Sequence, residues 1–163
     1  MGVHEDYAKE ILQSIAKTNY NARRKIKIIL GKWGWLEIDG TIKKPEIAIE
    51  IEGRNEPQVI IAVLKLIMHD YKKKLLILVP VNKDDIDKCK GRSSFILDKF
   101  GIDQSDYQVI ILKGSGHDQG AIRVQHAKED FEIIKNALEL LGFHESIIIE
   151  EKESIIDYIL DYD

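Results

Sequence analysis

Three carboxylates, Asp39, Glu50 and Glu52, have the types and the spacing to hold a divalent cation. The stretch Trp35-Leu-Glu-Ile-Asp-Gly-Thr-Ile-Lys-Lys-Pro-Glu-Ile-Ala-Ile-Glu-Ile-Glu-Gly53 reads as two strands joined by a short polar turn. The first ends in Asp39-Gly40 and the second runs from Glu46 to about Glu52. Alternation along the second strand puts Glu46, Ala48, Glu50 and Glu52 on one face, with Ile47, Ile49 and Ile51 on the other. Like charges two residues apart on one face repel, and a cation relieves them. Asp39, at the end of the neighbouring strand, brings a third carboxylate to the same point. Mg2+ is bound by one or two carboxylates and keeps several waters, so this donor set suits it, with Mn2+ as the alternative.

The element that follows decides what faces those acids. Gly53-Arg54-Asn55-Glu56-Pro57 reads as a turn into a helix, with Asn55 as N-cap and Pro57 in the first turn. The helix is expected from Gln58 to about Asp70. Gln58, Ala62, Lys65 and His69 recur on it at i, i+4, i+7 and i+11, a narrow stripe at about 100° per residue. Its other residues are almost all large and apolar, which predicts extensive burial. The polar stripe either faces solvent or turns Lys65, with Gln58, back toward the carboxylates. A rival account of the acids needs no chemistry. Lys25 and Lys27 share a face of the preceding strand and could form a ladder of cross-strand ion pairs with the Glu residues.

The whole chain, 163 residues with a net charge of −4, suits one domain over 1–163 and carries no global basic field of the kind many nucleic-acid binders show. Its cations are nonetheless clustered, at Arg23-Arg24-Lys25, Lys43-Lys44, Lys72-Lys73-Lys74 and Lys88 to Arg92. The single cysteine, Cys89, excludes an internal disulfide and a cysteine-rich zinc site. No signal peptide precedes the first helix, and no apolar run approaches the roughly 18 residues of a membrane span, so a cytoplasmic protein without membrane contact is expected.

Around the acidic strands the pattern predicts a helix over 4–18, a strand from Lys25 to Leu30, and strands at Lys74–Val79 and Tyr107–Leu112. A helix from Asp84 to Phe100 should break near Gly91-Arg92-Ser93. A further helix, marked by Ala127, Phe131, Ile134, Leu138 and Leu141, ends at Gly142. The last twenty residues suggest a short strand at 146–149 and an acidic closing helix. The order is helix, three strands in meander, helix, strand, helix, strand, helix, which implies an α/β fold with a mixed central sheet flanked by helices.

Asp39, ten intervening residues and then Glu50-Ile-Glu52 before a helix resemble the PD-(D/E)xK, or restriction endonuclease-like, nuclease superfamily. The family core, α-β-β-β-α-β, matches from about Tyr7 to Val79, leaving a C-terminal α/β extension. The resemblance implies that Asp39 and Glu50 bind Mg2+ and that an acid of the first helix, with Glu10 the best placed, joins them. The triplet ends in Glu52 instead of Lys, an ExE variant. Glu52 would then orient or deprotonate the attacking water or bind a second metal, and Lys65 would supply the missing cation at the scissile phosphate. The implied activity is an Mg2+-dependent endodeoxyribonuclease, a homodimer if both DNA strands are cut. Lys43, Lys44, Arg54, Lys113 and Arg123 are the candidate DNA-phosphate contacts.

Two alternatives stay open. One is a catalytically inactive nuclease-fold protein that binds nucleic acid or protein. The other is a small-nucleotide-binding α/β protein using Gly114-Ser-Gly116-His-Asp-Gln-Gly120. That segment lacks the GK[ST] of a P-loop and misses the dinucleotide fingerprint by one residue, and it reads more readily as a mobile loop. His117 and His126 do not make a zinc site. Trp33 and Trp35, at the entrance to the acidic strands, read as core packing ahead of base stacking.

Overall fold

The computed structural model describes residues 2–22, 27–80 and 85–144. Helix α1 (Val3–Ala16) leads to a two-residue strand β1 (Tyr20–Asn21), a ribbon of β2 (Lys27–Ile29) and β3 (Trp35–Glu37), and a hairpin of β4 (Gly40–Ile42) and β5 (Ile47–Glu52). Then follow α2 (Glu56–Met68), β6 (Lys73–Leu78), α3 (Ile86–Lys99), β7 (Tyr107–Ile111) and α4 (Gly120–Leu140). The main sheet has the order β1-β4-β5-β6-β7, with β1, β4 and β5 antiparallel and β5, β6 and β7 parallel. It is a mixed five-stranded sheet flanked by helices. Among the described residues no helix is long and apolar enough to cross a membrane.

Strand β5 is buried from end to end because both faces of the sheet are covered. Ile47, Ile49 and Ile51 pack with Ile11, Ile15 of α1 and Phe131, Ile134 of α4. Ala48 faces the opposite layer, among Val59, Val63 and Leu66 of α2 and Leu97 of α3. The predicted alternation therefore sorts the strand between two cores, each large side chain contributing about 1.5–3 kcal/mol on burial. Asn55 caps α2 through its side chain, which accepts from the Gln58 N–H at 3.2 Å. The helix is less buried than its composition predicts: Ile61, Leu64 and Met68 are exposed.

The start of the sheet differs from the expected meander. Residues 35–42 form one extended run bent at Ile38-Asp39. Before the bend it pairs with β2 in a separate two-stranded sheet, and after it with β5 and β1. The edge strand is thus Tyr20–Asn21, which lies between the helix and the strand that the pattern predicts there. Gly40 makes that edge possible, since a Cβ there would meet the Tyr20 ring at 2.7 Å and the Asn21 carbonyl at 3.1 Å. Among the described residues no ion-pair ladder forms with β5. Lys27 stands opposite Glu37, its Nζ 3.9 Å from the Trp35 ring centroid. Lys25 lies outside the described residues, as do the strand and helix expected after 144.

Two further differences have local causes. Helix α3 runs unbroken through Gly91-Arg92-Ser93, where the Ser93 hydroxyl donates to the Cys89 carbonyl one turn back, at 2.7 Å. Helix α4 begins at Gly120 instead of near Ala127, and the loop before it is tied down. Fully buried Asp130 accepts from the Tyr7 hydroxyl at 2.6 Å and from the N–H groups of Lys113 and Gly114 at 2.6 and 2.8 Å. One carboxylate so joins α1, α4 and the end of β7. Asp130→Ala, which strands two N–H donors and a hydroxyl, is expected to lower the unfolding free energy by about 3 kcal/mol, and Tyr7→Phe by about 1 kcal/mol, in urea titrations.

Candidate active site

The bend at Ile38-Asp39 turns Asp39 into the end of β5. Gly40 pairs with Ile49, so Asp39 falls beside Glu50. Two hydrogen bonds then bracket the strands: the Asp39 N–H donates to Glu50 Oε2 at 3.1 Å, and the Ile51 N–H donates to Asp39 Oδ2 at 2.8 Å. Lys65 of α2 reaches the same carboxylate, with Nζ 3.6 Å from Glu50 Oε1. From the opposite layer, Glu5 of α1 meets the Asp39 carboxyl and carries its own i+4 partner, Lys9, at 3.0 Å. Glu5, Asp39 and Glu50 line a cleft of about 360 Å³ at the C-terminal end of β5, closed on one side by Gln58 and Lys65 and on another by Arg54. Of the stripe on α2, Gln58, Ala62 and Lys65 face this cleft. His69 does not; it caps the other end of the helix and accepts from the Tyr71 N–H.

Burial pushes the Glu50 carboxyl well above the usual carboxylate range; the neighbouring Asp39 adds to this and Lys65 opposes it. Burial acts on Asp39 in the same sense, but the hydrogen bonds it accepts from the Glu50 carboxyl and the Ile51 N–H outweigh it and hold Asp39 low. The two acids therefore share one proton, carried by Glu50. Glu5 is raised as well, by burial first and by Asp39 second. Three carboxyl groups crowd one spot, and the site lowers its charge by holding on to protons.

Glu52 is differently placed. Its Oε2 accepts from the Gly53 N–H at 2.8 Å, the Arg54 N–H at 3.1 Å and Arg54 Nε at 3.0 Å, while Oε1 takes the guanidinium Nη2. These bonds outweigh the cost of burial and keep it ionised. Both oxygens are engaged, so Glu52 orients Arg54, whose head remains largely exposed at the rim of the cleft.

Of the remaining predicted residues, Glu10 does not reach the cleft: its charged neighbours are Asp6 and Arg123. Glu5 and Glu10 lie about 140° apart around α1 at 100° per residue, on opposite flanks of its buried stripe. Which flank meets the sheet end is a tertiary matter, and nothing in the sequence marks Glu5 beyond its place at that edge. Lys43 and Lys44 are exposed in the β4–β5 turn, at the far end of the hairpin from Asp39. Lys113 is exposed just past β7, on the same end of the parallel strands as Glu52. Arg123 is buried and donates to the carbonyl of Asp118 at 3.1 Å, which removes it from any surface contact. The glycine-rich loop likewise turns inward: its Gly114 amide is committed to Asp130, and a Cβ on Gly116 (φ +87°) would meet the Val3 carbonyl at 2.9 Å.

Among the described residues no group of three or more His, Cys, Asp and Glu side chains is arranged to hold a metal ion by itself. Asp39 and Glu50 offer two carboxylates at an open cleft, the donor number that Mg2+ commonly takes from protein. No protein-family model matches the chain, and no curated protein or solved structure matches it either.

The protonated Glu50 has a consequence for stability. Its folded pKa lies above the unfolded value, so its contribution is fully present below about pH 4.5 and is lost as pH rises toward the folded pKa. Glutamine mimics the protonated acid, accepting from the Asp39 N–H and donating to its carboxylate. Glu50→Gln is therefore expected to stabilise the metal-free fold by about 2 kcal/mol at pH 8 and by little near pH 4, read from melting curves across that range in EDTA.

Proposed function

We propose that the protein is a metal-dependent endonuclease that hydrolyses DNA phosphodiester bonds, with Asp39 and Glu50 as the ligands of Mg2+ or Mn2+. The observation that carries this reading is the cross-strand bracket of Asp39 and Glu50 in an open cleft, with Lys65 Nζ 3.6 Å from Glu50. The order of elements around it supports a restriction endonuclease-like core: α1, then β1, β4 and β5 antiparallel, then α2 and the parallel β6. In that correspondence β1 takes the place of the first meander strand, and the β2–β3 ribbon is an insertion.

The residues present fit a hard divalent cation, since the donors are all carboxylate oxygens and share a displaceable proton. A cation bound there lowers the pKa of its water and neutralises charge on the phosphate. Glu50 would hold the cation after releasing its proton to solvent, and Asp39, kept in place by the Ile51 N–H, would be the second ligand. Lys65 presents a compact positive charge toward the scissile phosphate. Glu52 positions Arg54, whose planar guanidinium can take two phosphate oxygens. Glu5, in place of Glu10, is the acid that α1 brings to the cleft. Cutting both strands of a duplex needs two such clefts, which a homodimer supplies.

Cleavage of supercoiled and branched DNA in Mg2+ or Mn2+ tests the reading. Asp39→Ala and Glu50→Ala are each expected to abolish cleavage with the circular dichroism spectrum unchanged, and Lys65→Ala to slow it by about 100-fold. Full activity in both carboxylate variants would refute it, as would no cleavage of any substrate together with no heat of metal binding. Calorimetry in buffers of different ionisation enthalpy should show about one proton released per cation. The apparent affinity should rise with pH, by up to about tenfold per unit while Glu50 holds its proton.

A further inference from the structure

The β2–β3 ribbon stands outside the main sheet, and its two faces differ sharply. The inner face packs Ile28, with Leu30 and Leu36, against the layer of α2. The outer face presents Ile29 and Trp35, a cross-strand pair that is 69% and 53% exposed. Trp33, in the turn between the strands, is 80% exposed. Large aromatic rings left this open in a turn and on a strand contribute nothing to the core, contrary to the packing role their sequence suggested. Each indole also carries a lysine: Lys27 Nζ lies 3.9 Å from the Trp35 ring centroid, and Lys32 Nζ lies 4.8 Å from that of Trp33. Glu37 is the one acid of the ribbon and stands opposite Lys27, which offsets it.

We infer that this ribbon is a stacking arm for an unpaired DNA strand, which it leads into the Asp39–Glu50 cleft. An indole with a lysine over its ring brings together the two partners a single strand needs, a π-surface for a base and a cation for a phosphate, and stacking of this kind accepts any base. A duplex hides its base faces, so two exposed indoles gain little from it. Continuity with the cleft supports the same occupant: β3 ends two residues before Asp39. Trp35 and Asp39 are separated by at most about 13 Å of extended chain. That distance corresponds to about four nucleotides at the per-strand rise of stacked DNA. The inference rests on the nuclease reading for its direction toward the cleft. It narrows the substrate to DNA with a single-stranded stretch beside the scissile bond.

The test separates binding from chemistry. Fluorescence anisotropy of labelled single-stranded and fully paired oligonucleotides is measured in EDTA, along with quenching of tryptophan emission. Wild type is expected to bind the single strand more tightly and to lose indole emission on doing so. Trp33→Ala and Trp35→Ala should each weaken single-strand binding by about 5- to 100-fold, with Trp35→Phe retaining most of it. Lys27→Ala and Lys32→Ala should reduce the salt dependence of binding. Unchanged single-strand affinity in both alanine variants would overturn the arm, as would equal, tryptophan-dependent binding of the paired oligonucleotide. A shift from dimer to monomer in sedimentation, with DNA binding intact, would reassign the ribbon to contact between two copies of the chain, and would also overturn it. Because none of these readouts involves cleavage, the arm fails or stands separately from Asp39→Ala, whose loss of cleavage should leave indole quenching in place.

Discussion

The structure turns on the pair of hydrogen bonds that lock Asp39 to the end of β5, one from its own N–H to Glu50 and one to its carboxylate from the Ile51 N–H. Neither is part of a regular ladder. They are possible because the extended run 35–42 bends at Ile38-Asp39, leaving an N–H and a side chain to do what strand pairing does elsewhere. The bend divides the run between two sheets, placing a ribbon on one side and the β4–β5 hairpin on the other. Without it Asp39 would be an ordinary strand residue with its side chain fixed by alternation.

The electrostatics of the cleft follow from that arrangement. Two carboxyl groups in contact, one buried and one half-buried, cannot both be ionised cheaply, so the proton settles on Glu50, the more buried partner, while Asp39 keeps the charge its hydrogen bonds favour. Glu52, two residues along the same face, escapes this competition because Arg54 and two backbone N–H groups satisfy it. One strand face thus carries an acid that holds its proton and an ionised acid that aims an arginine. Identical side chains acquire different chemistry from how deeply each is buried and from the hydrogen-bond partners each finds.

Support for the cleft comes from the opposite layer. Helix α1 brings Glu5 to Asp39, and its docking is secured at its other flank by the bond from Tyr7 to Asp130. The same Asp130 closes the loop after β7, which turns the glycine-rich segment inward and commits its first amide. The segment that read in the sequence as a mobile loop is tied to Asp130 and packs against the start of α1.

Periodicity and local chemistry make part of this architecture legible in the chain alone. The alternation of Ile47, Ile49 and Ile51 with Glu50 and Glu52, the Asn55 cap, and the stripe carrying Gln58 and Lys65 all follow from repeat lengths of strand and helix and from one side chain's reach to its own backbone. The rest comes from long-range packing. The bend at Asp39, the edge strand at Tyr20–Asn21, the choice of Glu5 over Glu10, the burial of Arg123 and the exposure of Trp33 and Trp35 each depend on which distant segment lies alongside. A residue's type and spacing limit the face it can occupy, but the neighbour across that face is supplied by chain tens of residues away, and no local period encodes it.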